Sequence, residues 1–182
     1  MPKNVLDGLI MTGRAGFMTR KIWREFFGNG DLEVTKKQIK RLRAKGYLSR
    51  HPNPIAKHVL VLTSLGKDFL LDKLESFSTL PLAGQLSHDE LVLWSVLRLT
   101  NDGIIADCQF ENELKCATKQ SLFSSSKYQF SKYPDASFKI LVNDSPKNVA
   151  LEYERQRKSP ERYRHFMALC RHGKPFSHYF YL

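Results

Sequence analysis

Three carboxylates in the last third of the chain, Asp135, Glu152 and Glu154, have the type and spacing to do chemistry. Asp135 follows Pro134 and opens PDASFKILV, whose alternating apolar positions predict a strand. NDSPK then supplies a turn and NVALEYE a second strand, so residues 135–154 read as a β-hairpin. Such a hairpin carries Asp135 and Glu152 on neighbouring strands, where both can converge on one divalent cation. Glu152 and Glu154 share a face, because strand side chains alternate with period two. Mg²⁺ or Mn²⁺ suits such hard oxygen ligands, keeps several waters, and can polarise a phosphodiester. The competing expectation is that Glu152 and Glu154 pair with Arg155, Arg157 or Arg162 at the surface, for about 0–1 kcal/mol each.

The elements around the hairpin follow from the same patterning. Ser87 is placed to cap a helix over HDELVLWSVLRLT, with Leu91, Trp94, Leu97 and Arg98 at helical spacing. CQFENEL, residues 108–114, reads as a strand, and the polar run SLFSSSKYQFSKY as an extended loop. In that loop Phe123, Tyr128, Phe130 and Tyr133 lie among Lys127 and Lys132; packing onto the sheet is favoured over stacking on unpaired bases. Ser159 and Pro160 start a helix that Gly173 stops, and SHYFYL closes the chain as a strand. The expected order for residues 88–182 is αβββαβ.

Residues 1–75 carry 15 Lys and Arg against 7 Asp and Glu, whereas the rest of the chain carries 14 against 11. Most of the net charge of +11 therefore lies in the first part. Val5, Leu6, Leu9 and Ile10 predict a helix over 4–11; Thr19 can cap a second helix through Trp23, Phe26 and Phe27; GNGD makes a turn. In VTKKQIKRLRAKGYL, Val34, Ile39 and Leu42 face inward, leaving Lys36, Lys37, Lys40, Arg41 and Arg43 outside that stripe, with Gly46 as the stop. Tyr47–Arg50 and His58–Thr63 follow as strands around HPNPIAK, and Thr63 and Ser64 begin a further helix, LTSLGKDFLLDKLE. SFSTLPLAGQLS, residues 76–87, is uncharged and reads as a linker. Excess base favours a polyanionic partner, because bound Lys and Arg release counterions from phosphates.

Other classes find no support. The three cysteines show no CxxC or Cys/His zinc spacing, and free thiols in a reducing cytoplasm are expected. Neither an apolar leader core nor a stretch of about 18 apolar residues is found, so no membrane partner is expected. HExxH, P-loop, dinucleotide and GxSxG patterns are absent.

The helix-helix-helix-hairpin order of residues 1–75 resembles the winged-helix-turn-helix fold, on the strength of the basic helix at 34–45, the GYLSR turn into a strand, and LTSLG. The resemblance implies a DNA-binding helix with Lys36, Lys37, Lys40, Arg41 and Arg43, and a wing bearing Arg50, Lys57 and His58. Pro134-Asp135 followed by Glu152-Tyr153-Glu154 resembles the PD-(D/E)xK nucleases, with Glu154 where that family has Lys. Lys158 or Arg157 could supply the cation instead. Taken whole, the chain resembles the plasmid replication-relaxation and mobilisation family, which includes MobC-type relaxases. His88, Phe110-x-x-Glu113, Pro134-Asp135-Ala136 and Glu152-x-Glu154-Arg155 carry the likeness, with Tyr163 in the helix that follows. That resemblance adds His88 and Glu113 to Asp135, Glu152 and Glu154 as candidate catalytic residues, with Asp135 and Glu152 as candidate metal ligands.

The expectation is thus an α+β protein: a winged helix over 1–75, a linker over 76–87 and a small restriction-endonuclease-like unit over 88–182. Its expected partner is double-stranded DNA on a plasmid or other mobile element, with a homodimer and other DNA-processing proteins as further candidates. Three functions remain open: a DNA-processing protein with a non-catalytic nuclease-like domain, a Mg²⁺- or Mn²⁺-dependent endonuclease or relaxase, and a transcriptional regulator that dimerises through its second domain.

Overall fold

The computed structural model describes residues 1–53, 56, 58–79, 82, 84–121, 133–154, 159–161, 164 and 178–181. It is a mixed α and β protein with two sheets. Helix α1, Lys3–Ala15, buries Val5, Gly8, Leu9, Thr12 and Gly13, a stripe at helical spacing. Thr19 ends the two-residue strand β1, Met18–Thr19, and its hydroxyl accepts from Ile22 N to cap α2, Arg20–Phe26. Asp31 caps α3, Leu32–Ala44, by accepting from Glu33 N and Val34 N at 2.7 and 3.0 Å. These bonds hold the Asp31 carboxyl below its ordinary pKa.

This cap starts α3 two residues before the expected first residue, and the inward stripe becomes Thr35, Ile39 and Leu42. Val34, expected inward, is exposed. Thr35 takes the buried position because its hydroxyl is satisfied by Asp31 O at 2.7 Å. Gly46 follows the helix at φ 75°, a left-handed stop that a side chain resists. β2, Leu48–Arg50, and β3, Val59–Leu62, then form an antiparallel pair, with Leu48 opposite Leu62. β3 is central, in the order β1-β3-β2, which accounts for the burial of Val59, Leu60 and Val61 in succession. Thr63 caps α4, Ser64–Asp68. The longer helix expected here gives way to turns, where Leu70 N and Lys73 N bond back to Lys67 O and Leu70 O, three residues earlier.

In the expected linker, Ser78 is buried against the end of α1, with its N–H on Gly13 O at 2.9 Å and its hydroxyl on Arg14 O. α5, Leu86–Asn101, is preceded by Gln85 with no side-chain cap, and Ser87 lies inside the first turn instead of capping it. β4, Ala106–Phe110, is shorter than the expected strand, because α6, Glu111–Ser121, replaces its second half. The switch has a local cause: Glu113 reaches back to accept from Phe110 N at 2.9 Å, the acidic half of a capping box. β5, Ala136–Val142, and β6, Ser145–Glu152, form the expected hairpin around Asn143 and Asp144, both with positive φ, which matches the strand twist. β7, His178–Tyr181, runs parallel to β6, giving the order β4-β5-β6-β7. The αβββαβ expectation is thus corrected by α6. Of the helix expected after Ser159, Pro160, Glu161 and Arg164 are helical and the rest lies outside the described residues, as does almost all of the 121–133 loop.

One continuous apolar cluster runs from Leu9, Phe17, Ile22 and Trp23 to Val92, Leu93, Val96, Phe138, Val149 and Leu151, so both sheets contribute to it. Gly16 sits where α1 ends and the chain turns into β1 of the first sheet. Its φ is 83°, and an added Cβ would lie 2.3 Å from Thr79 O. We expect Gly16→Ala to destabilise the protein by more than about 2 kcal/mol through left-handed strain and collision together. A thermal melt should show Tm lower by roughly 4–8 °C for a chain of this size.

Candidate functional site

Two surfaces hold the candidate residues. The first is the outer side of α3, where Lys36, Lys37, Lys40, Arg41 and Arg43 are all exposed. Packing on α2 and β2 fixes this orientation, with the Trp23 indole N–H donating to Gln38 Oε1 at 2.9 Å. Lys36 also pairs with Glu33 at 2.7 Å. Arg50, at the end of β2, and His58, just before β3, are exposed at the mouth of the hairpin; Lys57 lies outside the described residues. Helix α2 adds the exposed Arg20, Lys21 and Arg24, which sequence reasoning passed over. Their signal was available, since they flank the buried pair Ile22 and Trp23.

The second surface is a cleft of about 590 Å³ between residues 15–17, the 78–85 segment, α5, α6 and the open end of the β5–β6 hairpin. Asp135, Glu152, Glu154 and His88 all line it, so four of the five candidate catalytic residues meet there. Asp89, Glu111 and Lys115 join them, the last two paired at 2.7 Å. The hairpin register explains the convergence: Ala136 faces Leu151, so Asp135 and Glu152 leave the ladder at the same end. Glu152 is buried, while Glu154 lies beyond the strand, two residues on.

Asp135 is tied into this end of the sheet. Its Oδ2 accepts the Tyr153 N–H at 2.7 Å and lies 3.2 Å from His88 Nε2. His88 Nε2 also faces Tyr153 O at 3.0 Å, and its Nδ1 faces Asp89 Oδ1 at 2.9 Å. Every named partner of the imidazole is an acceptor, so both ring nitrogens are called on to donate. Burial alone lowers the His88 pKa, but the Asp89 hydrogen bond, the Asp135 charge and the Tyr153 carbonyl outweigh it and raise it. When protonated, the ring would be a counter-charge for the carboxylates beside it.

Glu113 does not line this cleft. It borders a second cavity, of about 720 Å³, beside Cys108, Cys116 and Lys139. Its carboxylate receives Arg14 Nε at 2.7 Å and Arg14 Nη2 at 3.0 Å, and Arg14 Nη2 also donates to Cys108 O. Burial pushes the Cys108 thiol up to about 12, which keeps it protonated.

As metal ligands, Asp135 and Glu152 offer a two-carboxylate oxygen set, with which Mg²⁺ would retain several waters. Among the described residues no group of three or more His, Cys, Asp and Glu side chains is gathered as a metal cage. Comparison with family models, with curated proteins and with solved structures finds no match. Among the described residues no helix is long and apolar enough to cross a membrane.

The raised His88 pKa has a definite sign. Stability gained from the protonated ring is fully present below its unfolded pKa, about 6.5, and is lost as pH rises through the higher folded value. We expect the imidazole proton resonances of His88 to titrate with a midpoint above about 6.5. Urea unfolding should show His88→Gln costing more stability at mildly acidic pH than at alkaline pH; an equal cost at both would contradict the charged state.

Proposed function

We propose that this protein binds duplex DNA through a winged helix made of α1, α2, α3 and the β1-β3-β2 sheet. In this reading α3 enters the major groove and the β2–β3 hairpin is the wing. The observation that carries it is the run of exposed Lys36, Lys37, Lys40, Arg41 and Arg43 on the faces of α3 outside its buried stripe. A major groove about 12 Å wide admits a helix, and outward cations then meet phosphates and base edges. Arg20, Lys21 and Arg24 at α2 suit the flanking backbone, as do Arg50 and His58 on the wing. The resemblance of His88, Phe110-x-x-Glu113, Pro134-Asp135-Ala136 and Glu152-x-Glu154-Arg155 to the mobilisation family suggests a role on plasmid or other mobile DNA, with the cleft lined by Asp135, Glu152 and Glu154 serving DNA processing.

Replacing Lys36, Arg41 and Arg43 together with Ala should weaken duplex binding for all sequences. The slope of log affinity against log salt should fall by about one unit for each lost phosphate contact. Fluorescence anisotropy over a salt series reads this directly, and an unchanged slope would remove α3 from the interface.

A second reading is favoured by the shared cleft of Asp135, Glu152 and Glu154: a metal-dependent endonuclease or relaxase. A Mg²⁺ or Mn²⁺ ion held there would polarise a phosphodiester. Arg157 and Lys158 lie outside the described residues; Lys115, which lines the same cleft and pairs with Glu111, would be the cation in this reading. Incubation with supercoiled plasmid and Mn²⁺ should then yield nicked circles with the wild type and none with Asp135→Asn, while duplex affinity is unchanged. Absence of nicking by the wild type with either metal would leave the DNA-binding role alone.

A further inference from the structure

The outer side of α3 is not uniformly basic. Opposite the buried stripe of Thr35, Ile39 and Leu42, the outermost positions are Glu33, Lys37, Lys40 and Ala44, at helical spacing i, i+4, i+7 and i+11. All four are exposed. Lys36 and Arg43 flank this ridge on one side and Arg41 on the other, where a helix laid in a groove meets the phosphate walls. Resting on the DNA-binding reading, we propose that Glu33, Lys37 and Lys40 read base edges in the major groove, with Glu33 selecting cytosine and the two lysines selecting guanine.

Glu33 is the informative residue. It is an acid on the otherwise cationic outer side of α3, near the helix end that most often meets base edges. Beside phosphates it is repulsive, so it weakens binding to arbitrary DNA. The repulsion is offset where a base presents a donor, and in the major groove cytosine N4 is such a donor for a carboxylate. Lys37 and Lys40 complement guanine O6 and N7 by the same geometry. Ala44, the last ridge position, has no bulk to hold the helix off the groove floor. A rise of about 1.5 Å per residue spreads Glu33 to Lys40 over roughly 10 Å, which is about three base-pair steps of 3.4 Å. The target is therefore a short G·C-containing half-site with its cytosine contact at the end facing the start of α3. An acid in a helix's first turn also favours the helix dipole, and Glu33 pairs with Lys36; neither role chooses a base.

The experiment is selection of duplexes from a random library by the full-length protein, followed by anisotropy on the enriched site and its single-base variants. A window of about four base pairs containing C and G should emerge, and replacing the cytosine should cost at least about fivefold in affinity. Glu33→Ala should bind arbitrary duplex more tightly than wild type and lose that fivefold preference. Glu33→Gln should move the preference at that one position toward adenine, whose N6 and N7 suit an amide. Lys37→Ala should relax selectivity at a neighbouring guanine, whereas Lys36→Ala should weaken every duplex alike. Binding without enrichment, or Glu33 variants with wild-type base preference, would overturn the base-reading ridge and leave the DNA-binding role standing. No binding to any duplex at low salt would overturn both.

Discussion

The guanidinium of Arg14 is the joint on which the arrangement of the molecule depends. It sits in the last turn of α1, beside the first sheet, and grips Glu113 of α6 through both its Nε and Nη2. The same group reaches the carbonyl of Cys108 in β4 and lies over the Phe110 ring at 5.7 Å. Both side chains of the pair are mostly buried, so neither charge is well solvated without the other. Glu113 completes the contact by holding the Phe110 N–H, which starts α6 where it does. One carboxylate thus sets a helix boundary and fastens the two sheets, and that employment fixes it away from the cleft where Asp135 and Glu152 gather.

Around that joint the molecule separates its charges. Cations crowd the outer side of α3, while carboxylates line the cleft beside α5 and the hairpin end. The separation follows from where each group can be tolerated. Lysines and arginines on an exposed helix keep their hydration, whereas Asp135 is held near the protein interior by Tyr153 N–H and the His88 ring. Further contacts reinforce the joint: Thr19 donates to Glu90 at 2.8 Å and Trp94 to Glu25 at 2.9 Å, both between the α2 region and α5. These bonds fix α5, which lines the cleft, against the α2 region.

What could be read from the sequence was whatever is fixed locally. Thr19 as a cap, Gly46 as a stop and the β5–β6 hairpin depend on neighbours within a few residues, and each is found in the expected role. That Asp135 and Glu152 lie at the same end of the hairpin was legible for the same reason, since hairpin register determines it. Strand β1 was not, because Met18 and Thr19 are too few to show a period and their pairing partner, β3, lies about forty residues on. Helix α6 was hidden because its first-turn acid caps an apolar residue, Phe110, rather than a Ser or Thr. The employment of Glu113 could not be foreseen, because its partner Arg14 is 99 residues away in the chain. His88 was singled out through a family likeness; its contact with Asp135 requires α5 to be docked against the hairpin.

Strand β4 forms one edge of the second sheet, and its shape bears on how copies of this chain can meet. The ladder to β5 shifts register between Ala106 and Gln109, and Asp107 at that break has φ 50°. The Asp107 carboxylate is drawn sideways to Lys139 at 2.8 Å, putting an ion pair at the rim. A bulged border carrying charge is a poor template for an incoming strand, because its N–H and C=O groups no longer form a regular row. Sheet extension through this border is therefore disfavoured.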